Sequence, residues 1–531
     1  MAGKLPFWFL LGLVATISLL PLEDARSQTL LRILDTPNPQ AFAAFGSALA
    51  MGDADGDGKA DLLVGAPLEG MGANANRGRA YLFSGTTGAL LRTLASPNPQ
   101  ASAFFGAPLA MGDADGDGKA DLLVGAPLED VGANVDQGRV YLFSGATGAL
   151  LHTLDSPNPQ GGAQFGADLA MGDADGDGKA DLLVGANRQE VGGKADQGRA
   201  HLFSGATGAL LRTFSSPKPQ AGAFFGASVA MGDADGDGKA DLLVSASGED
   251  VGVTDTGEGR AYLFSGTTGA LLRTLDPPNP QEGAGFGGEL AMGDADGDGR
   301  ADFLVAASGE DVGGNLDQGR AYLFSGATGA LLRTLDSPNP QADAFFGDSL
   351  AMGDTDSDGR ADLLVGVLFE DVGGNLDQGR AYLFSGSTGA LLATLDTPNP
   401  QQEALFGDSL DMGGAAGNGR ADIVVSANGE NVGANADQGR AYLFASLTPK
   451  AGDVDCNGDV STVDALKILR HVAGLSVSQE PGCPSIGSQV ASLWGDVDCN
   501  VDVTAVDALF ILRSVAGLPV NLPPGCPPIG S

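Results

Sequence analysis

The segment MGDADGDGKADLLV starts unchanged at Met51, Met111, Met171 and Met231. In the first copy its aspartates are Asp53, Asp55, Asp57 and Asp61, at positions 1, 3, 5 and 9 of a loop with glycine at position 6. Alternate residues of a tight turn point inward, and four converging like charges repel unless a cation lies among them. Calcium takes six to eight hard oxygen donors. The carboxylates supply several, a backbone carbonyl near Lys59 adds one, and the glycine permits the turn. The plainer alternative is a solvated acidic turn held by Asx hydrogen bonds. Six near-identical copies favour calcium.

The full ligand sets are Asp53, Asp55, Asp57 and Asp61; Asp113, Asp115, Asp117 and Asp121; Asp173, Asp175, Asp177 and Asp181; Asp233, Asp235, Asp237 and Asp241; Asp294, Asp296, Asp298 and Asp302; and Asp354, Asp356, Asp358 and Asp362. A seventh copy, GGAAGNGRAD, has Gly414, Ala416 and Asn418 in place of the first three aspartates and keeps only Asp422. The expectation is therefore about six calcium ions, with the seventh loop empty.

The loops sit in units that recur about every 60 residues, each marked by a Phe-Gly pair (Phe45, Phe105, Phe165, Phe225, Phe286, Phe346, Phe406). Each unit holds four short apolar runs, FGAPLAMGD, ADLLVGAP, GRVYLFSG and ALLHTL in the second, bounded by Gly, Pro, Asn and Asp. Runs of that length read as strands, and four strands repeated radially make a propeller blade. LLRIL (Leu30 to Leu34) precedes any Phe-Gly pair, and the last unit ends at AYLFASLTPK without a fourth strand. The N-terminal strand must then complete the seventh blade, which removes the open edge. The expected fold is mainly β, a seven-bladed β-propeller over residues 28–448.

The Phe-Gly pair, the DxDxDGxxD loop, Gly65-Ala66-Pro67 and the GRAYLF strand together resemble the FG-GAP repeat of integrin alpha chains and many bacterial surface proteins. Later units replace Gly-Ala-Pro by SAS, AAS, GVL or SAN. The resemblance implies that calcium loops brace one face and that ligands meet loops on the other.

Composition changes over residues 449–531. GDVDCNGDVSTVDALKILRHVAGL and, 43 residues later, GDVDCNVDVTAVDALFILRSVAGL each set oxygen ligands at positions 1, 3, 5 and 12 of an EF-hand-like loop. The ligands are Asp453, Asp455, Asn457 and Asp464, then Asp496, Asp498, Asn500 and Asp507, with Val501 replacing the loop glycine in the second copy. An amphipathic helix follows each loop. These two loop-helix repeats resemble a dockerin domain, a small α-helical calcium-loop module. That resemblance implies two further calcium ions, a cohesin-like partner, and contacts through Thr462, Val463, Ala505 and Val506. The alternative is a calcium-stabilised cap that binds nothing.

Lys4 and the apolar stretch PFWFLLGLVATISLLPL, with a cleavage site near Ser27, read as a signal peptide over residues 1–27, so the chain is expected to be secreted without membrane insertion. Cys456, Cys483, Cys499 and Cys526 then imply two disulfides. Pairing within repeats and pairing across antiparallel helices both stay open. With 67 acidic residues against 29 basic, the net charge of −38 excludes nucleic acid as a partner.

No Ser/His/Asp or Cys/His constellation is present, so no catalytic residue is assigned. The best candidates for acid–base work on a sugar are Glu129-Asp130, Glu249-Asp250, Glu310-Asp311 and Glu370-Asp371, on loops opposite the calcium loops. Few aromatics remain for a stacking platform, Phe369 being the exception. The reading that follows is a non-enzymatic recognition or scaffold protein with a protein or glycan ligand at the propeller. A carbohydrate-active enzyme, such as a calcium-assisted polysaccharide lyase, and a purely structural surface component are the alternatives.

Overall fold

The computed structural model describes residues 28–70, 76–252, 257–447 and, beyond them, 462–473, 475, 497, 503–516, 518–520, 522 and 529. Seven four-stranded antiparallel sheets follow one another. In the first complete blade the strands are Leu49–Gly52, Asp61–Ala66, Arg79–Phe83 and Leu90–Leu94. The first strands of neighbouring blades touch all the way round, the seventh against the first, so the sheets surround a central axis.

Burial explains each strand's composition. Asp61–Ala66 is buried at every residue because it is covered on both faces, and so it reads as a continuous apolar run. Leu90–Leu94 is exposed at its first and fourth residues, as an outer strand should be. The core is a ring of seven layers, each shared by two blades. One layer joins Leu63, Leu82 and Leu94 of one sheet to Phe105, Leu122, Val124 and Tyr141 of the next. No blade buries its apolar surface alone, so the ring must close.

Closure follows the expected route. Leu30–Leu34 pairs antiparallel with Arg440–Phe444, with Ile33 opposite Tyr442 and Leu34 opposite Ala441. Leu34 enters the layer between the seventh and first blades. Asp35 adds an ion pair to Arg440 at 2.6 Å.

The C-terminal segment contributes two helices, α1 (Thr462–Val472) and α2 (Ala505–Val515). They pack on each other through Ala465, Ile468, Ala508 and Ile511, with Val497. Thr504 caps α2: its hydroxyl accepts from Val506 N at 3.1 Å, and its own N–H donates to Asp507 at 2.7 Å. Among the described residues, no helix is long and apolar enough to cross a membrane.

Candidate metal centre

Each aspartate loop joins the first strand of a blade to the second. Backbone donors pre-shape it. Asp53 Oδ1 accepts from Gly56 N at 2.7 Å and Oδ2 from Gly58 N at 2.8 Å. Asp55 accepts from Asp57 N and Asp57 from Lys59 N, both at 3.0 Å. Asp61, buried at the start of the second strand, accepts from Ala54 N, Asp55 N and Gly85 N at 3.0–3.2 Å. These bonds leave carboxylate oxygens facing one another. One oxygen from each of Asp113, Asp115 and Asp121 lies within 4.8 Å of the others, and likewise for the triads of the third, fourth and fifth blades and for Asp53, Asp55 and Asp57. Two ligands on opposite sides of an ion with 2.3–2.6 Å bonds stand at about that separation. Burial pushes Asp61 up to about 6, and the Asp55 charge adds to the rise. Asp121, Asp181, Asp241 and Asp302 behave alike. An all-oxygen set of converging carboxylates suits a hard divalent cation.

The sixth loop keeps the same wiring with Ser357 in place of glycine. Ser357 N donates to Asp354 at 2.6 Å, and burial with the Asp356 charge pushes Asp358 up to about 7. The seventh loop holds its shape without the charges. Asp422 accepts from Ala416 N at 2.6 Å and Ser446 N at 2.7 Å, and Asn418 accepts from Arg420 N at 3.0 Å. With one carboxylate left it is not a cation site of this kind.

The proposed acid–base ring is corrected by the structure. Glu129, Glu249, Glu310 and Glu370 are at most 1% exposed. Glu129 pairs with Arg139 at 2.8 Å and accepts from Asn98 Nδ2 at 2.8 Å and from the Tyr141 hydroxyl at 2.8 Å. Glu69, Glu249, Glu310, Glu370 and Glu430 make the same Arg and Tyr contacts in their blades. These carboxylates are spent fixing the loop after the second strand to the third strand. Phe369 is exposed, as expected, and makes one T-shaped contact with Phe345 at 5.7 Å.

Blade three shows the same bracket without its carboxylate, and its arginine, Arg199, donates to Asn158 Oδ1 instead. Gln189 stands for the glutamate and His201 for the tyrosine. His201 Nε2 lies 3.3 Å from Gln189 Oε1, and Gln189 Nε2 donates to Asn158 O at 3.1 Å. Burial, with the Arg199 charge, lowers His201 to about 4, so it is neutral.

A second acidic feature escaped the sequence reading. The axis is a channel of about 490 Å³ lined by residues of all seven first strands. Asp168, Glu289, Asp348, Asp408 and Asp411 face it from blades three, five, six and seven. Burial pushes Asp168 and Asp411 up to about 6 and Asp408 to about 7; Glu289 is raised well above the usual range by burial and by Asp168 and Asp348. A signal existed. In a first strand that is otherwise constant but for Val229, the second, third and fifth residues after Phe vary between blades.

In the C-terminal helices, Asp464 and Asp507 are buried. Asp507 accepts from Val497 N at 2.7 Å as well as from Thr504. Thr462, Val463, Ala505 and Val506 are exposed in the first turns. Asp453, Asp455, Asn457, Asp496, Asp498, Asn500 and the four cysteines lie outside the described residues.

Fold and loops together define a seven-bladed propeller with acidic loops on one rim. Comparison with known proteins agrees. The FG-GAP repeat matches residues 45–83, 105–143, 165–203, 225–264, 286–324 and 346–384, the six segments that carry aspartate loops. Human integrin alpha-IIb is 32% identical over 238 residues, 40% of this chain and 21% of the integrin. Xenopus laevis integrin alpha-5 is 32% identical over 221 residues (39% and 20%), and Drosophila melanogaster integrin alpha-PS5 33% over 158 residues (28% and 15%). The matched region spans at most about a fifth of the length of these relatives.

Proposed function

We propose that this chain is a secreted, calcium-binding, non-catalytic recognition or scaffold protein. The observation that carries the reading is the pairing of two rims. On one, pre-shaped aspartate loops would hold calcium and stiffen the ring. On the other, the loops after the second and fourth strands are tied together, for example by Gln100 and Asp130 exchanging hydrogen bonds at 2.8 and 2.9 Å. They present Phe42, Val135, Leu316 and Leu376, each more than half exposed. Rigid exposed apolar side chains ringed by polar loops suit a protein ligand better than a sugar. Similarity to integrin alpha chains supports recognition over catalysis, and burial of the glutamate ring removes the best acid–base groups.

The helical segment would dock the propeller onto a cohesin-like partner. Its support is a duplicated surface: Val463, Leu466 and Leu469 on α1 and Val506, Leu509 and Leu512 on α2 are 37–55% exposed although apolar. Thr462 and Ala505 begin the two rows. Calcium held with Asp464 and Asp507 would fix the first turn of each helix. The test is a pull-down with the full chain from extracellular and envelope fractions, in calcium and in chelator. A calcium-dependent partner lost on Leu466→Asp with Leu509→Asp supports docking. Retention by that variant sinks it.

A further inference from the structure

The residue after the loop glycine, Lys59 and its equivalents, is basic in all seven units, and no ligand role accounts for its side chain. Its target is the loop of the preceding blade. Lys119 Nζ donates to Asp55 O at 2.5 Å, Lys179 Nζ to Asp115 O at 2.7 Å, and Lys239 Nζ to Asp175 O at 2.7 Å. The next residue repeats the contact from its backbone: Ala120 N donates to Asp53 O at 2.7 Å, and the six equivalent bonds complete the circle. The lysine stem lies across Gly56, where an added Cβ would stand 2.7 Å from Lys119 Cε. Loop position 4 is therefore glycine for two reasons, its φ of +83° and this crossing. Blade six has serine there, and Arg420 Nε donates to its hydroxyl at 2.7 Å. The ion-free seventh loop keeps the relay, accepting from Ala60 N through Gly414 O at 3.0 Å.

From this wiring we infer that the six cation loops are coupled, so that calcium binds cooperatively around the ring; the inference rests on the calcium reading above. Lys119 and Ala120 lie between the ligands Asp117 and Asp121 of their own loop. An ion that orders that stretch also fixes both donors to Asp53 O and Asp55 O. The preceding loop then has less freedom left to lose when its own ion arrives, which is positive coupling without a change of fold. The basic residue is a positioning residue for the neighbour's site.

Calorimetric calcium titration of the full chain tests this, with Lys119→Met, Lys179→Met and Lys239→Met combined as the uncoupled variant. Methionine keeps the stem over the glycine and deletes the donor. A second variant, Asp175→Asn with Asp177→Asn, disables the third loop while keeping its acceptors, as Asn418 does in the seventh. The expected result is a Hill coefficient above 1 for the native chain that falls toward 1 in the lysine variant. Disabling the third loop should weaken its neighbours about 5-fold only when the lysines are present. Six independent sites in the native chain, or equal cooperativity in the lysine variant, would overturn the coupling alone. Absence of any calcium uptake would overturn the calcium reading, and the coupling with it.

Discussion

Replacing Arg139 by methionine keeps the stem and removes the charge that faces Glu129. Glu129 is fully buried, and after the change Asn98 and Tyr141 still donate to it, but no cation balances it. Breaking a buried pair in this way costs about 3–5 kcal/mol, because the remaining charge stays desolvated. Unfolding entropy of about 2.1 cal/mol/K per residue, over a cooperative unit of roughly 420 residues, converts that cost to a Tm loss of about 3–6 °C. Glu129→Gln should cost far less, since blade three already runs on Gln189 with a neutral His201. Arg139→Met combined with Glu129→Gln should therefore be more stable than Arg139→Met alone. Differential scanning calorimetry in saturating calcium reads all three. If the double variant melts below the single one, the bracket is held by packing or geometry rather than by charge compensation, and the reasoning fails.

Chelation should lower the melting temperature by roughly 15–20 °C, since each of the six propeller sites at 100-fold saturation adds about 2.7 kcal/mol; an unchanged Tm in excess chelator removes calcium from the account. The channel carboxylates make a separate pH prediction. Their folded pKa values lie above the unfolded one, about 6 for Asp168 and about 7 for Asp408, so the folded state holds extra protons. That contribution is fully present below about pH 4 and is lost as pH rises through 6 to 7. In saturating calcium, Asp408→Asn with Glu289→Gln should flatten the fall in Tm between pH 5 and 8, and an unaltered slope would place the titration elsewhere. Ser102 and Asp343 hold φ of 58° and 56° where other blades have Gly162, Gly222 and Gly283. Ser102→Gly should raise stability by up to about 1 kcal/mol, read as a small rise in Tm; a loss would show that the hydroxyl matters more than the backbone strain.

How much could be read without coordinates follows the range of the interactions. Strands, blade count and the clustering of the loop aspartates were legible because their causes are local. Asp53 and Asp61 belong to one loop, and a strand's pattern lies within six residues. Ring closure was legible from a count of copies, LLRIL at one end against a missing strand at the other. The role of Glu129 was misread because its partners, Asn98, Arg139 and Tyr141, lie up to 31 residues away and meet it only when the sheet forms. A glutamate in a turn looks solvated until the third strand folds back on it.

The latch from Lys119 to Asp55 spans 64 residues and exists only because blades stack in order. The channel carboxylates come from four blades and meet only at the axis. Repetition itself concealed them, since each unit looks complete alone. By itself the sequence determined what arises within one strand or one turn: the strands, the loops and the clustering of their aspartates. Tertiary structure alone decided which side chains of different strands and blades meet. Pairing of the second and third strands buries Glu129, stacking of the blades aligns Lys119 with its neighbour's loop, and closure of the ring brings like charges together around one channel.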